Sequence, residues 1–161
     1  MSRSSRFTPQ SLELKIPPPL VALIVGVAMW GISRVTVAMI GADAIRTALA
    51  VAFALAGASF DVAALIAFRR ARTTVNPLKP RSAASLVTSG IYQVTRNPMY
   101  VGLVFFLCAW AAWLGAWLGF LGPLVFGAYV SRFQIAPEEN ALDALFGNSY
   151  RAYKAKVRRW L

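Results

Sequence analysis

The chain has 161 residues, 58% of them hydrophobic and only 14% charged, well below the roughly 25% of a soluble domain, which excludes an ordinary water-soluble globule. Its net charge is +11, but the Lys and Arg residues cluster where apolar runs end and form no nucleic-acid-binding motif, so a basic membrane-facing surface accounts for them better. Histidine is absent and Cys108 is the only cysteine. Disulfides, cysteine- or histidine-based metal sites, His-ligated haem and the Ser-His-Asp and Cys-His nucleophile arrangements are therefore excluded.

Residues 1–16, with Arg3, Arg6 and Lys15 among Ser and Thr, read as an exposed arm. Pro17-Pro18-Pro19 opens an apolar run to Ile40. At about 1.5 Å per residue it is long enough to cross a hydrocarbon core of roughly 30 Å. No small-residue cleavage pattern follows Trp30, so a retained first span is expected. Arg34 sits near its far end, where snorkelling explains it. Gly41-Ala42-Asp43 predicts a tight turn and Ala44 to Phe68 a second span, so that residues 17–68 form a helical hairpin. Gly26 and Gly31 in the first span, and Ala54, Gly57 and Ala58 in the second, permit close helix approach. Asp61 has two readings: a functional or paired intramembrane carboxylate, or one that snorkels toward the interface near Arg69.

Residues 69–97 form the one long polar connection, too rich in proline (Pro77, Pro80) for a continuous helix. Connections of this length are more often functional or disordered than idle. Its later part, Leu86 to Tyr92, has few charges and is expected to lie against the membrane face. Asn97 is a good N-cap and Pro98 a good first helical residue. Free N–H groups and the positive helix end then lie beside Arg96, a place suited to a ligand carboxylate; a plain cap with a snorkelling Arg explains the same residues. Met99 to Ser131 carries no charge and predicts two helices, 99–114 and 117–134, turning at Leu114-Gly115-Ala116. Trp110, Trp113 and Trp117 would form an aromatic belt at the far interface, and Cys108 would be packing. Pro123 with Gly119, Gly122 and Gly127 should loosen the fourth helix and open a lateral gap for a lipid-like substrate.

In the tail, Pro137 predicts a new helix carrying Glu138 and Glu139 in its first turn, closed by Gly147. A second helix, Ser149 to Leu161, would set Tyr150, Tyr153, Val157 and Trp160 against Arg151, Lys154, Lys156, Arg158 and Arg159, a basic amphipathic helix suited to a membrane surface. The expected fold is all-α: a polytopic membrane protein of four transmembrane helices with a cytoplasmic connecting segment and a C-terminal amphipathic helix. It forms a single domain over 1–161, with its functional core in 69–161. The arm, the connection and the tail hold 15 of the 17 Lys and Arg residues, which places both termini in the cytoplasm.

On that face Arg96 and a helix N-terminus, Tyr92 and Tyr100, Arg132 and Gln134, and Glu138 and Glu139 come together. The set suits a ligand with a carboxylate, hydroxyls and an ammonium, and a cation resting on aromatic faces. S-adenosylmethionine has all of these. Methyl transfer from a sulfonium chiefly needs positioning and a dry site, which fits a chain without histidine. A Glu pair after Pro also marks any ordinary helix start.

Arg96-Asn97-Pro98-Met99-Tyr100-Val101-Gly102, then Glu138-Glu139-Asn140-Ala141-Leu142 and the ending Phe146-Gly147-Asn148-Ser149-Tyr150-Arg151-Ala152-Tyr153-Lys154, resemble the isoprenylcysteine carboxyl methyltransferase family and its phospholipid methyltransferase relatives. The resemblance is strongest over 73–161; the first two spans match only in being hydrophobic. It implies S-adenosylmethionine bound at the cytoplasmic face by Gly90, Tyr92, Arg96, Asn97, Pro98, Tyr100, Gly102, Glu138 and Glu139, with Arg96, Tyr100 and Glu139 as catalytic residues. Arg132 and Gln134, nearest the membrane, are assigned to the substrate. Asn97 stands where much of the family has His, and cannot become charged. No metal is implied. The expected acceptor is lipid-like, with an isoprenylcysteine carboxylate preferred because it needs no general base, and the amine of phosphatidylethanolamine as the alternative. A non-catalytic membrane subunit with a lipid-binding tail would explain the charge and the spans but leave both ordered motifs unexplained.

Overall fold

The computed structural model describes residues 16–36, 43–71 and 86–161, and every regular element among them is helical. Residues 1–15 of the arm, the Gly41-Ala42 part of the first turn and the Pro-rich stretch 72–85 lie outside the described residues. Helix α1 (Pro18–Ser33) starts on proline, whose missing N–H costs nothing at a helix start. It is followed by α2 (Asp43–Ala71) and α3 (Pro98–Leu114). Gly115, at φ 61°, closes α3 in the left-handed conformation that glycine adopts without strain. Then come α4 (Leu121–Val130), α5 (Ala136–Phe146) and α6 (Asn148–Lys156).

Among the described residues, two helical courses are long and apolar enough to cross a membrane, Asp43–Ala71 with 29 residues and Trp117–Phe146 with 30. The second corrects the expectation of a break before Pro137. A 3-10 turn (Trp117–Phe120), α4, a π-helical turn (Ser131–Ile135) and α5 follow one another without interruption. Proline inside an α-helix clashes with the carbonyl four residues back and removes a hydrogen bond. The wider π turn just before Pro137 accommodates both defects, and the helix continues. Glu138 and Glu139 consequently ride on the same rod as the apolar α4. The apolar helices α1 and α3 are shorter.

Helix α3 lies between α2 on one side and α1 with α4 on the other. Gly57 and Gly102 set the α2–α3 spacing: a Cβ on Gly57 would stand 2.9 Å from the Gly102 carbonyl oxygen, so a side chain there would force the helices apart. Phe53 and Phe60 pack on Phe105 across the same contact. On the other side Val21, Met29, Leu107, Phe126, Val130 and Ile135 form the main core. Met29 occupies the space that a side chain on Gly122 would need. The Trp110 indole N–H donates to the Gly26 carbonyl at 3.0 Å and ties α3 to α1. Trp113 and Trp117 are 60% and 65% exposed, as interface residues would be.

Val87 and Tyr92 are buried on Ala64 and Ala67 at the end of α2, while Thr88, Ser89 and Gly90 stay exposed. One expectation about the polar segments changes. The tail helix stops at Lys156 rather than Leu161, and Val157 is extended. A helix leaves its last four carbonyls without internal partners. Here the chain end turns away and offers the Arg158 and Arg159 carbonyls to residues 95–97 instead.

Candidate active site

The turn before α3 is built first by backbone geometry. Gly90, at φ 63°, begins a 3-10 turn (Gly90–Gln93) that buries Tyr92 edge-on against Phe68, with ring centroids 5.4 Å apart. The Tyr92 carbonyl accepts a hydrogen bond from the Tyr153 hydroxyl at 2.7 Å, which joins the turn to α6. Thr95 is fully buried. Its hydroxyl oxygen accepts from the Asn97 N–H at 3.2 Å and donates to the Arg159 carbonyl at 3.2 Å. The Arg96 N–H donates to the Arg158 carbonyl at 3.0 Å. Asn97 does not cap α3 with its side chain; its amide donates to the Arg159 carbonyl at 2.9 Å. The expected cap is thus a tether for the chain end.

With the turn held in this way, Arg96 meets Glu139 of α5 at 3.0 Å, the two side chains being only 9% and 8% exposed. Glu139 also receives Arg159, with Nε to Oε1 at 3.1 Å and Nη2 to Oε2 at 2.6 Å. Lys154 Nζ lies 3.6 Å from Oε2. One carboxylate therefore faces three cations. Desolvating such charges is costly, and several charge-assisted hydrogen bonds are needed to offset it. Next to it, the Tyr100 hydroxyl donates to Glu138 Oε1 at 2.7 Å. Burial raises the Tyr150 hydroxyl to about 12 although Arg96, which can only donate, lies in hydrogen-bonding contact with it; burial raises Tyr92 and Tyr153 too, so all three stay protonated at neutral pH.

Among the sequence-assigned residues, Arg96, Asn97, Tyr100, Glu138 and Glu139 are brought together directly, with Pro98 buried at the helix start and Tyr92 joined to the tail through Tyr153. Gly90 is exposed and supplies the turn. Gly102 is buried against α2: a Cβ there would overlap the Asp61 carboxylate, so Asp61 fills that space. Gln134 is fully buried, donating its amide to the Ile16 carbonyl at 2.7 Å, while its Oε1 has no hydrogen-bond partner among the described residues. Arg132 is exposed, with its guanidinium 5.5 Å from the Phe133 ring centroid.

Sequence reasoning missed Thr95, Lys154 and Arg159. The latter two were placed on the solvated side of a surface helix. The only local signal was the surplus of basic residues after Tyr150, which does not by itself point to a carboxylate twenty residues earlier.

Residues 45–149 match the phospholipid methyltransferase family. With that match, a chain whose described residues include two helices long and apolar enough to cross a membrane falls among the membrane methyltransferases. The chain is a member of the phospholipid methyltransferase family. It is 51% identical over 63 residues to an uncharacterized protein of Haemophilus influenzae, covering 39% of this chain and all of that one. It is also 42% identical over 76 residues to the protein-S-isoprenylcysteine O-methyltransferase of Schizosaccharomyces pombe, covering 45% of this chain and 30% of that enzyme. No solved structure matches significantly.

Proposed function

We propose that the protein is an integral membrane S-adenosylmethionine-dependent methyltransferase acting on a lipid-like acceptor, by carboxyl O-methylation of an isoprenylcysteine-like substrate. The observation that carries this is Arg96: it is buried against Glu139, yet its Nε and Nη1 have no hydrogen-bond partner among the described residues. Buried donors left unpaired are costly, and a carboxylate offers the matching acceptor geometry. The residues present thus fit the amino-acid end of S-adenosylmethionine. When bound, that cofactor supplies a methyl group activated by the sulfonium charge. Arg96 would hold its carboxylate, Glu139 would orient Arg96, and Tyr92, Asn97, Pro98 and Glu138 would wall the site. Tyr100, hydrogen-bonded to Glu138, would stand at the reacting side, with Arg132 and Gln134 toward the acceptor.

A carboxylate acceptor is already nucleophilic and asks no base of the protein. Methylation of a phospholipid amine is the second reading, favoured by the Tyr100–Glu138 pair, which offers a buried carboxylate able to receive the ammonium proton. Assays of the purified protein in liposomes, with labelled S-adenosylmethionine and either a prenylated cysteine acid or phosphatidylethanolamine, decide between them. Methyl transfer to the thioether acid alone is expected. Transfer to neither acceptor would sink both readings.

The four-span topology is part of the same proposal, α1 and α3 crossing beside the two longer rods, with both termini and the site in the cytoplasm. The Lys and Arg asymmetry supports it. Reporter domains fused at residues 42 and 161 should fall on opposite sides of the membrane. Finding them on one side would overturn the four-span arrangement.

A further inference from the structure

We propose that Arg159, at the extended chain end, is a positioning residue that keeps the anion-receiving donors of Arg96 open; this rests on the reading that Arg96 takes a ligand carboxylate. Glu139 has two oxygens and could in principle receive Arg96 through two parallel hydrogen bonds, the favoured arrangement of this pair. It does not. Arg159 donates to both oxygens and Lys154 lies against Oε2, and Arg96 meets Glu139 through Nη2 at Oε1, 3.0 Å away. Nε and Nη1 of Arg96 are left buried and unpaired among the described residues.

The position of Arg159 is itself set by backbone bonds. Its carbonyl accepts from both Thr95 and Asn97, and that of Arg158 accepts from the Arg96 N–H. The Trp160 indole N–H, donating to Ser131 at 3.3 Å, fixes the chain end against the π turn. The guanidinium of Arg159 and the backbone of the Arg96 turn are therefore one unit, and the last residues of the chain belong to the site. Without the Arg159 side chain, Glu139 Oε2 is released to the remaining cations and Arg96 can rotate into a two-bond pair with it. That would withdraw the donors a ligand carboxylate needs.

The test compares two ligands in the full-length detergent-purified protein by calorimetry: S-adenosylhomocysteine, which carries the carboxylate, and methylthioadenosine, which shares the nucleoside and sulfur but lacks the amino-acid end. Arg159→Ala is expected to weaken S-adenosylhomocysteine by about ten- to a hundredfold, the scale of a charged hydrogen bond lost, and to leave methylthioadenosine unchanged. Arg159→Lys, which keeps the charge but cannot donate to both oxygens in parallel, should fall between parent and alanine variant. A parent that binds both ligands with Arg159→Ala unchanged overturns this proposal alone. Equal losses for the two ligands also overturn it, since a merely structural role would act on both. A parent that binds neither overturns the cofactor reading and this proposal together.

Discussion

Glu139→Ala should lower stability by about 3–5 kcal/mol, because removing one partner of a buried ion pair leaves the other desolvated and uncompensated. The stranded group is Arg96, 9% exposed and already short of partners on two of its nitrogens. Arg159 and Lys154, with side chains 39% and 48% exposed, can turn back to water and limit the loss. Glu139→Gln keeps the shape and one acceptor and should cost less. It should still weaken S-adenosylmethionine binding by roughly 1–3 kcal/mol, since Arg96 is no longer held in place by a charge. Thermal denaturation in detergent and calorimetric binding measure the two effects separately. An alanine variant that melts with the parent would show that the ion cluster is not part of the folded core. A glutamine variant that binds the cofactor as tightly as the parent would remove Glu139 from the site.

Shortening the acceptor's tail should produce a comparable effect. The proposed site, at Glu138 and Glu139, lies toward the C-terminal end of the Trp117–Phe146 rod, which exposes Leu121, Leu124 and Val125 along its apolar part, so a lipid-like acceptor would leave its tail in the bilayer and offer only its head. Each buried CH₂ contributes about 0.8 kcal/mol, so removing four should raise the apparent KM on the order of a hundredfold, with kcat nearly constant. A tail-length series assayed in liposomes measures this. If kcat/KM were equal for long-tailed and tailless acceptors, lateral access from the membrane would be ruled out.

The linear order of residues determined the helical class, because long uncharged runs must satisfy their backbone within each segment and helices do this. It also determined several boundaries, since proline at Pro18 and Pro98 and glycine at Gly115 act through dihedral angles that need no distant partner. The meeting of Arg96 with Glu139 and of Tyr100 with Glu138 was readable for a related reason: two short ordered motifs carry these residues. Only the tertiary structure decided the rest. Pro137 opens α5 at its first turn as read, but without the expected break before it, because the π turn Ser131–Ile135 carries the chain on from α4. Asn97 did not cap α3 with its side chain; its side-chain NH2 donates instead to the Arg159 carbonyl, 62 positions away in the chain. Arg159 itself looked like one more surface cation until the chain end folded back onto residues 95–97. Local backbone preferences are set within a few residues, whereas the pairing of a buried charge depends on which distant groups packing leaves within hydrogen-bond reach.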